Sequence, residues 1–122
     1  MTKPGKIRDF LPNPMDFIFV FTNLPDRDSA LLIAQELITG RYAACVNVLG
    51  GCTSVYRWKG EIEKAEEVPL LIKTRGSLYA EVERVIRERH PYDLPEIIAV
   101  PVTDGLPAYL DWLKAETLPS LS

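Results

Sequence analysis

Ala44-Cys-Val-Asn-Val-Leu-Gly-Gly-Cys-Thr-Ser-Val-Tyr-Arg-Trp58, then Lys59-Gly60, then Glu61-Ile-Glu-Lys-Ala-Glu-Glu-Val-Pro-Leu-Leu-Ile-Lys-Thr-Arg75 decide the fold. The first segment is strand-like on both sides of Gly50-Gly51, the second has a solvated outer part at Glu61, Glu63 and Lys64 and a buried inner part at Leu70, Leu71 and Ile72, and the pair between them suits a two-residue hairpin turn. The first arm alone would extend roughly 45–50 Å at ~3.3 Å per residue. A domain of this size has a diameter of roughly 35 Å, and an ordinary strand has only about 5–6 residues. The hairpin is therefore expected to overrun its own body. Its outer part carries Val55, Tyr56, Trp58 and Ile62. Apolar side chains on a protruding ribbon are a liability unless they meet a partner, and further copies of the chain are the simplest partner.

Working outward, Asp16-Phe-Ile-Phe-Val-Phe-Thr22 reads as a first strand covered on both faces. Asn23-Leu-Pro-Asp26 is a turn, with Asp26 or Asp28 as a helix cap. Ala30, Ile33, Ala34 and Leu37 form one apolar helical stripe, and Gly40 is placed to end it in a left-handed cap. After the hairpin, Ser77 is expected to cap a second helix with the stripe Leu78, Val82, Val85 and Ile86. His90-Pro91 stops it, because a residue before proline avoids helical backbone. Residues 96–103 form a last strand, with Pro101 at an edge or a bulge. A final helix starts near Leu106-Pro107 with the stripe Leu106, Tyr109, Leu110 and Leu113. The order is βαββαβ with a long hairpin between the second and third strands and an extra C-terminal helix. That is an α+β, ferredoxin-like fold. Its helices cover one sheet face and leave the other to be covered. Residues 1–15, with Pro4, Gly5, Pro12 and Pro14, read as an irregular arm before one domain at 16–122.

With 122 residues the chain is long enough for one core without disulfides or a structural metal. A net charge of −3 gives no basic footprint for nucleic acid or an anionic membrane. No apolar run approaches a membrane span or a signal peptide, so the cytoplasm is the expected compartment. Cys45 and Cys52 do not make a disulfide framework.

His90 is the sole histidine. It is a candidate metal ligand or proton carrier, or simply a helix-ending residue whose ring favours the negative helix end. Cys45 and Cys52 read as small buried hydrophobes, or as soft ligands for Cu(I) or Zn in company with His90. Their odd separation puts them on opposite faces of a strand unless a bulge at Gly50-Gly51 restores parity. Glu66 or Glu67 is expected to pair with Lys73 or Arg75. No nucleophile–base–orienter set, Walker loop or G-x-S-x-G can be assembled, so an enzyme is not expected.

Several segments taken together resemble the CutA family of divalent-cation tolerance proteins. They are Ala43-Ala-Cys-Val-Asn47, Thr53-Ser-Val-Tyr-Arg-Trp-Lys-Gly60 leading to Glu67 and Ile72-Lys-Thr74, His90-Pro-Tyr-Asp-Leu-Pro-Glu-Ile97, and Tyr109-Leu-x-Trp-Leu113. The resemblance covers about residues 17–115. It implies a homotrimer held by long hairpins and similar to PII signalling proteins, which bind small effectors between subunits. The expected cleft residues are Tyr56, Trp58, Glu67, Lys73, His90, Tyr92 and Glu96. It also implies a tie to tolerance of copper and other divalent metals. His90 and Cys45 match positions proposed for copper in some relatives, so the alternative reading is a protein binding copper or another divalent metal. Phe21 stands where some relatives have a further cysteine, and Arg89 where some have a second histidine.

Overall fold

The computed structural model describes residues 16–119. The arm expected over 1–15 lies outside them. Strand β1 (Phe17–Leu24) is followed by helix α1 (Arg27–Thr39). Next come β2 (Cys45–Val48), β3 (Cys52–Trp58) and β4 (Glu61–Arg75). A 3-10 turn (Gly76–Leu78) leads into α2 (Tyr79–Arg89), then β5 (Ile98–Pro101) and α3 (Pro107–Ala115). The sheet order is β2-β4-β1-β5, with β3 also on β4. This is the expected ferredoxin-like α+β topology.

The core lies between the sheet and α1 with α2. Even-numbered Ile18, Val20, Leu70 and Ile72 meet Ile33 and Leu37 of α1 and Val82, Val85 and Ile86 of α2, all fully buried. Each such aliphatic contributes about 1.5–3 kcal/mol relative to exposure. The odd residues of β1 are only half-buried, so the described residues cover one face of a strand whose sequence is apolar on both. Pro101 ends the edge strand β5, where a missing donor is tolerated.

The hairpin overruns its body. Within β4, β1 pairs only with Val68–Arg75, and among the described residues the outer part of the fifteen-residue β4 is paired to β3 alone. Lys59 (φ 50°) and Gly60 (φ 84°) close it in the left-handed pair that two-residue hairpins favour. The first arm is broken once. Val48 pairs with Leu70 but Cys52 pairs with Glu67, so one extra residue sits between them. This is a bulge at Gly50-Gly51, the one condition under which the two cysteines share a face. Pro69 lies opposite it, and its carbonyl accepts from the Leu49 N–H. The bulge restores parity: Cys45 and Cys52 oppose Lys73 and Glu67, which share a face.

Four local expectations are corrected. Gly40 is right-handed (φ −80°), and the left-handed residue is Arg41 (φ 60°). Arg41 N–H donates to Ile38 and Tyr42 N–H to Leu37, which makes a Schellman cap one residue later than expected. Arg41 tolerates this position because its guanidinium donates to the carbonyls of Ala115 (2.7 Å) and Glu116 (3.4 Å). Those carbonyls lie at the negative end of α3. Ser77 does not cap α2, since it lies inside the 3-10 turn and the α-helix starts after Leu78 without a side-chain cap. The α3 stripe is mostly exposed among the described residues: Leu113 is buried, but Leu106 and Tyr109 are not, because α3 packs on the body chiefly at β4 and is otherwise held by Arg41 at its end. Glu66 and Glu67 do not pair with Lys73 or Arg75. Glu66 accepts from Thr53 Oγ1 at 2.6 Å, Lys73 lies 5.8 Å over the Phe19 ring, and Arg75 donates to the Leu118 carbonyl.

Gly40 is needed for space rather than for its backbone. A Cβ there would stand 2.4 Å from Cε2 of Tyr42, whose ring packs against the core and under Arg84. Gly40→Ala is expected to lower stability by about 1–3 kcal/mol through overpacking, despite alanine's better helix propensity. Urea unfolding checks this, and an unchanged or higher midpoint would show that the Tyr42 ring yields freely.

Candidate ligand-binding cleft

The bulge aims the hairpin. With the extra residue, Ser54, Tyr56 and Trp58 share a face with Glu61, Glu63 and Glu67. Without it, every side chain of β3 would turn to the other side. This face meets the connection from α2 to β5, and the two enclose a cleft of about 650 Å³. Ser54, Tyr56, Trp58 and Glu67 form the hairpin wall. Tyr92, Asp93, Leu94, Pro95 and Glu96 form the opposite wall, and Asn23, Ile97 and Ile98 close the inner end.

The connection is held by two side chains of the His90-Pro91-Tyr92 turn. His90 is buried, and one ring nitrogen, Nε2, is 2.6 Å from the Asn23 carbonyl. A carbonyl only accepts, so Nε2 carries the proton. Nδ1 accepts from the Tyr92 N–H at 3.2 Å. Both nitrogens are thus satisfied by the neutral ring, and burial lowers the pKa further while the Asn23 contact and Glu67 oppose the shift. Tyr92 packs on the imidazole with centroids 4.7 Å apart, and its hydroxyl donates to Glu67 Oε2 at 3.0 Å. Loss of solvent around that hydroxyl, then the Glu67 carboxylate, push the phenol up to about 12, so it remains a donor. Asn23 Nδ2 donates to Glu96 Oε1 at 3.3 Å. The end of β1 therefore positions both the histidine and a wall carboxylate.

Of the residues expected at the cleft, Tyr56, Trp58, Glu67, Tyr92 and Glu96 line it. His90 stands behind the wall as its anchor. Lys73 lies six residues along β4 from Glu67, roughly 20 Å away, over Phe19. Asn23 and Ser54 were not singled out from the sequence. Nor were Asp93 and Pro95, although both lie within the His90–Ile97 motif.

Cys45 and His90 do not share a site within one chain. Cys45 opposes Lys73, whereas His90 meets Asn23, which opposes Pro69. That is four positions along β4, or about 13 Å. A metal at His90 would have to displace one of its backbone partners. Among the described residues no group of three or more His, Cys, Asp or Glu side chains is disposed to hold a metal ion. Arg89 pairs with Glu36 at 2.8 Å and ties α2 to α1, and Phe21 opposes Leu71 and Ile98 in the sheet.

Residues 18–116 match the family described as CutA1 divalent ion tolerance protein. The chain belongs to this family. It is 41% identical over 98 residues to the divalent-cation tolerance protein CutA of Thermus thermophilus, covering 80% of this chain and 95% of that one. It is 40% identical to the chloroplastic protein CutA of Arabidopsis thaliana, covering 82% of this chain but only 55% of that longer one. Among solved structures, CutA from Xylella fastidiosa superposes with a TM-score of 0.80 at 44% identity, covering 83% of this chain and 97% of that one. CutA1 from Oryza sativa gives 0.83 at 38%, covering 87% and 97%. These names describe cation tolerance or CutA alone, and none of them names an enzyme. No described helix is long and apolar enough to cross a membrane.

Tyr92→Phe is expected to cost about 1–3 kcal/mol, because it strips the buried Glu67 carboxylate of its hydroxyl partner. In the Glu67→Gln background the same change should cost less, since a neutral amide is cheaper to leave unpaired. Denaturant unfolding of the four proteins measures both.

The histidine sets a pH dependence. Unfolded histidine titrates near 6.5, and the folded ring titrates lower. The stability it contributes is complete above about pH 6.5 and is lost as the pH falls through the folded value. Thermal melts should show a decline on acidification from about pH 6.5 that is shallower in His90→Gln.

Proposed function

We propose that the protein acts as a homotrimer in the cytoplasm, with a PII-like binding or signalling role and small-molecule clefts between subunits. The observation that carries this is the uncovered sheet face. Phe19, Phe21, Leu71, Ile98 and Val100 lie on the side without helices, with Ile98 53% and Val100 41% exposed. On the protruding hairpin Val55 is 62% and Ile62 68% exposed. Val55 and Ile62 lie on the opposite face of the ribbon by strand alternation, so apolar surface is left both on a sheet face and on the ribbon, which is unusual for a monomer. Copies that dock the face and pair the free edge of the outer β4 would cover both. The cleft lies where the ribbon leaves the body, so a neighbouring subunit would form part of its rim. Lys73, on the same uncovered face, would reach a cleft only by that route.

Metal binding through His90 and Cys45 remains the alternative that the family's name raises. The trimeric cleft is preferred because it uses groups already facing a cavity, whereas the metal would require His90 to give up a backbone partner.

Sedimentation equilibrium at micromolar concentration should give a mass three times the 13.7 kDa of the chain. Val100→Asp, which places a charge on the uncovered face, should shift the protein to monomer while leaving its helix content unchanged by circular dichroism. A stable monomer of the unmodified chain would sink the proposal.

A further inference from the structure

Resting on the cleft reading above, we infer that the ligand is an organic cation, with an ammonium or guanidinium group on an apolar body. The charge pattern carries this. Among the described residues, Glu67, Asp93 and Glu96 line the part of the cleft that one chain supplies, and no lysine, arginine or histidine of that chain does. Glu67 and Glu96 are held by neutral donors, the Tyr92 hydroxyl and the Asn23 amide, which orient the carboxylates without cancelling their charge. Asp93 is exposed, and no hydrogen bond or ion pair engages it among the described residues.

The hairpin sorts its charges in the same sense. Strand alternation puts Arg57, Lys64 and Glu66 on the far face, while Glu61 and Glu63, with no cation beside them in the register, join Tyr56 and Trp58 on the cleft face. A walled cavity of one sign concentrates counter-ions of the other. A phosphate or carboxylate ligand would find no cationic partner in the walls that one chain supplies, and would meet one only where a neighbouring copy brought its Lys73 to the rim.

The aromatic lining supplies the second half of the recognition. Tyr56, Trp58 and Tyr92 offer ring faces, and ring faces attract cations. Trp58 already shows this: the Lys59 ammonium lies 5.8 Å from its ring centroid, at the hairpin turn outside the lining. A volume of about 650 Å³ suits a small molecule rather than a bare ion.

Calorimetric titration of the full-length protein with three aromatic probes tests the inference: benzyltrimethylammonium, benzyl alcohol and benzoate. Binding of the cation alone is expected, weakening with added salt. Trp58→Ala and Asp93→Asn should each weaken it about tenfold. Glu67→Gln should do the same while still accepting from Tyr92. Benzoate bound in place of the cation, or the alcohol bound as well as the cation, would overturn the cationic class and leave the cleft standing. Cation binding untouched by all three substitutions would overturn the cleft itself. Binding of no probe up to millimolar concentration would overturn both. The mass measured on the same samples separates these outcomes from the assembly reading, since a monomer that binds the cation would fail only the latter.

Discussion

One strand, β4, is shared among three neighbours, and the rest of the molecule follows from how it is shared. Its inner half is hydrogen-bonded to β1 on one side and β2 on the other, which buries Leu70 and Ile72 beneath the helices. Among the described residues, its outer half has β3 on one side and an open edge on the other. Backbone donors and acceptors at such an edge keep their hydrogen-bonding capacity, and natural proteins rarely leave long apolar edges uncovered. The length of β4 therefore sets both the size of the core and the amount of surface left for neighbours.

The bulge at Gly50-Gly51 links that length to chemistry. One extra residue turns β3 over relative to β2, so Tyr56 and Trp58 come to the face of Glu67. It also lets Pro69 sit in the middle of a paired strand, opposite the break. The cleft is then closed by a connection whose conformation is held at His90 and Tyr92. A neutral imidazole bridges Asn23 and the Tyr92 amide, and the Tyr92 phenol reaches across to Glu67. The lone histidine thereby acts as a structural clasp between β1 and the cleft wall.

The molecule meets local difficulties with distant groups. Arg41 occupies a left-handed backbone position that usually costs a non-glycine residue about 1–2 kcal/mol. Its side chain meanwhile takes up carbonyls at the end of α3, more than seventy positions away in sequence. Gly40 beside it is kept small by the Tyr42 ring rather than by its own backbone. Family membership agrees with this architecture: the solved CutA structures superpose over most of the chain at TM-scores of 0.80 and 0.83.

Apolar spacing in the sequence determined the element order, the core stripes of α1 and α2, and the length of the hairpin. Lys59-Gly60 marked its turn, because these are short-range properties of backbone and side-chain period. Gly40 misled by one position, since glycine spacing does not reveal whether a nearby ring needs the space. Ser77 misled because a 3-10 turn intervened, and the stripe of α3 because among the described residues only Leu113 of it is buried. The cleft was legible as a set of residues but not as a geometry. Whether Glu67 met Lys73 or Tyr92 depended on strand register and on the path of the connection after α2. Both are fixed by packing between segments far apart in the chain, so only the tertiary structure decided which charges face the cleft and which do not.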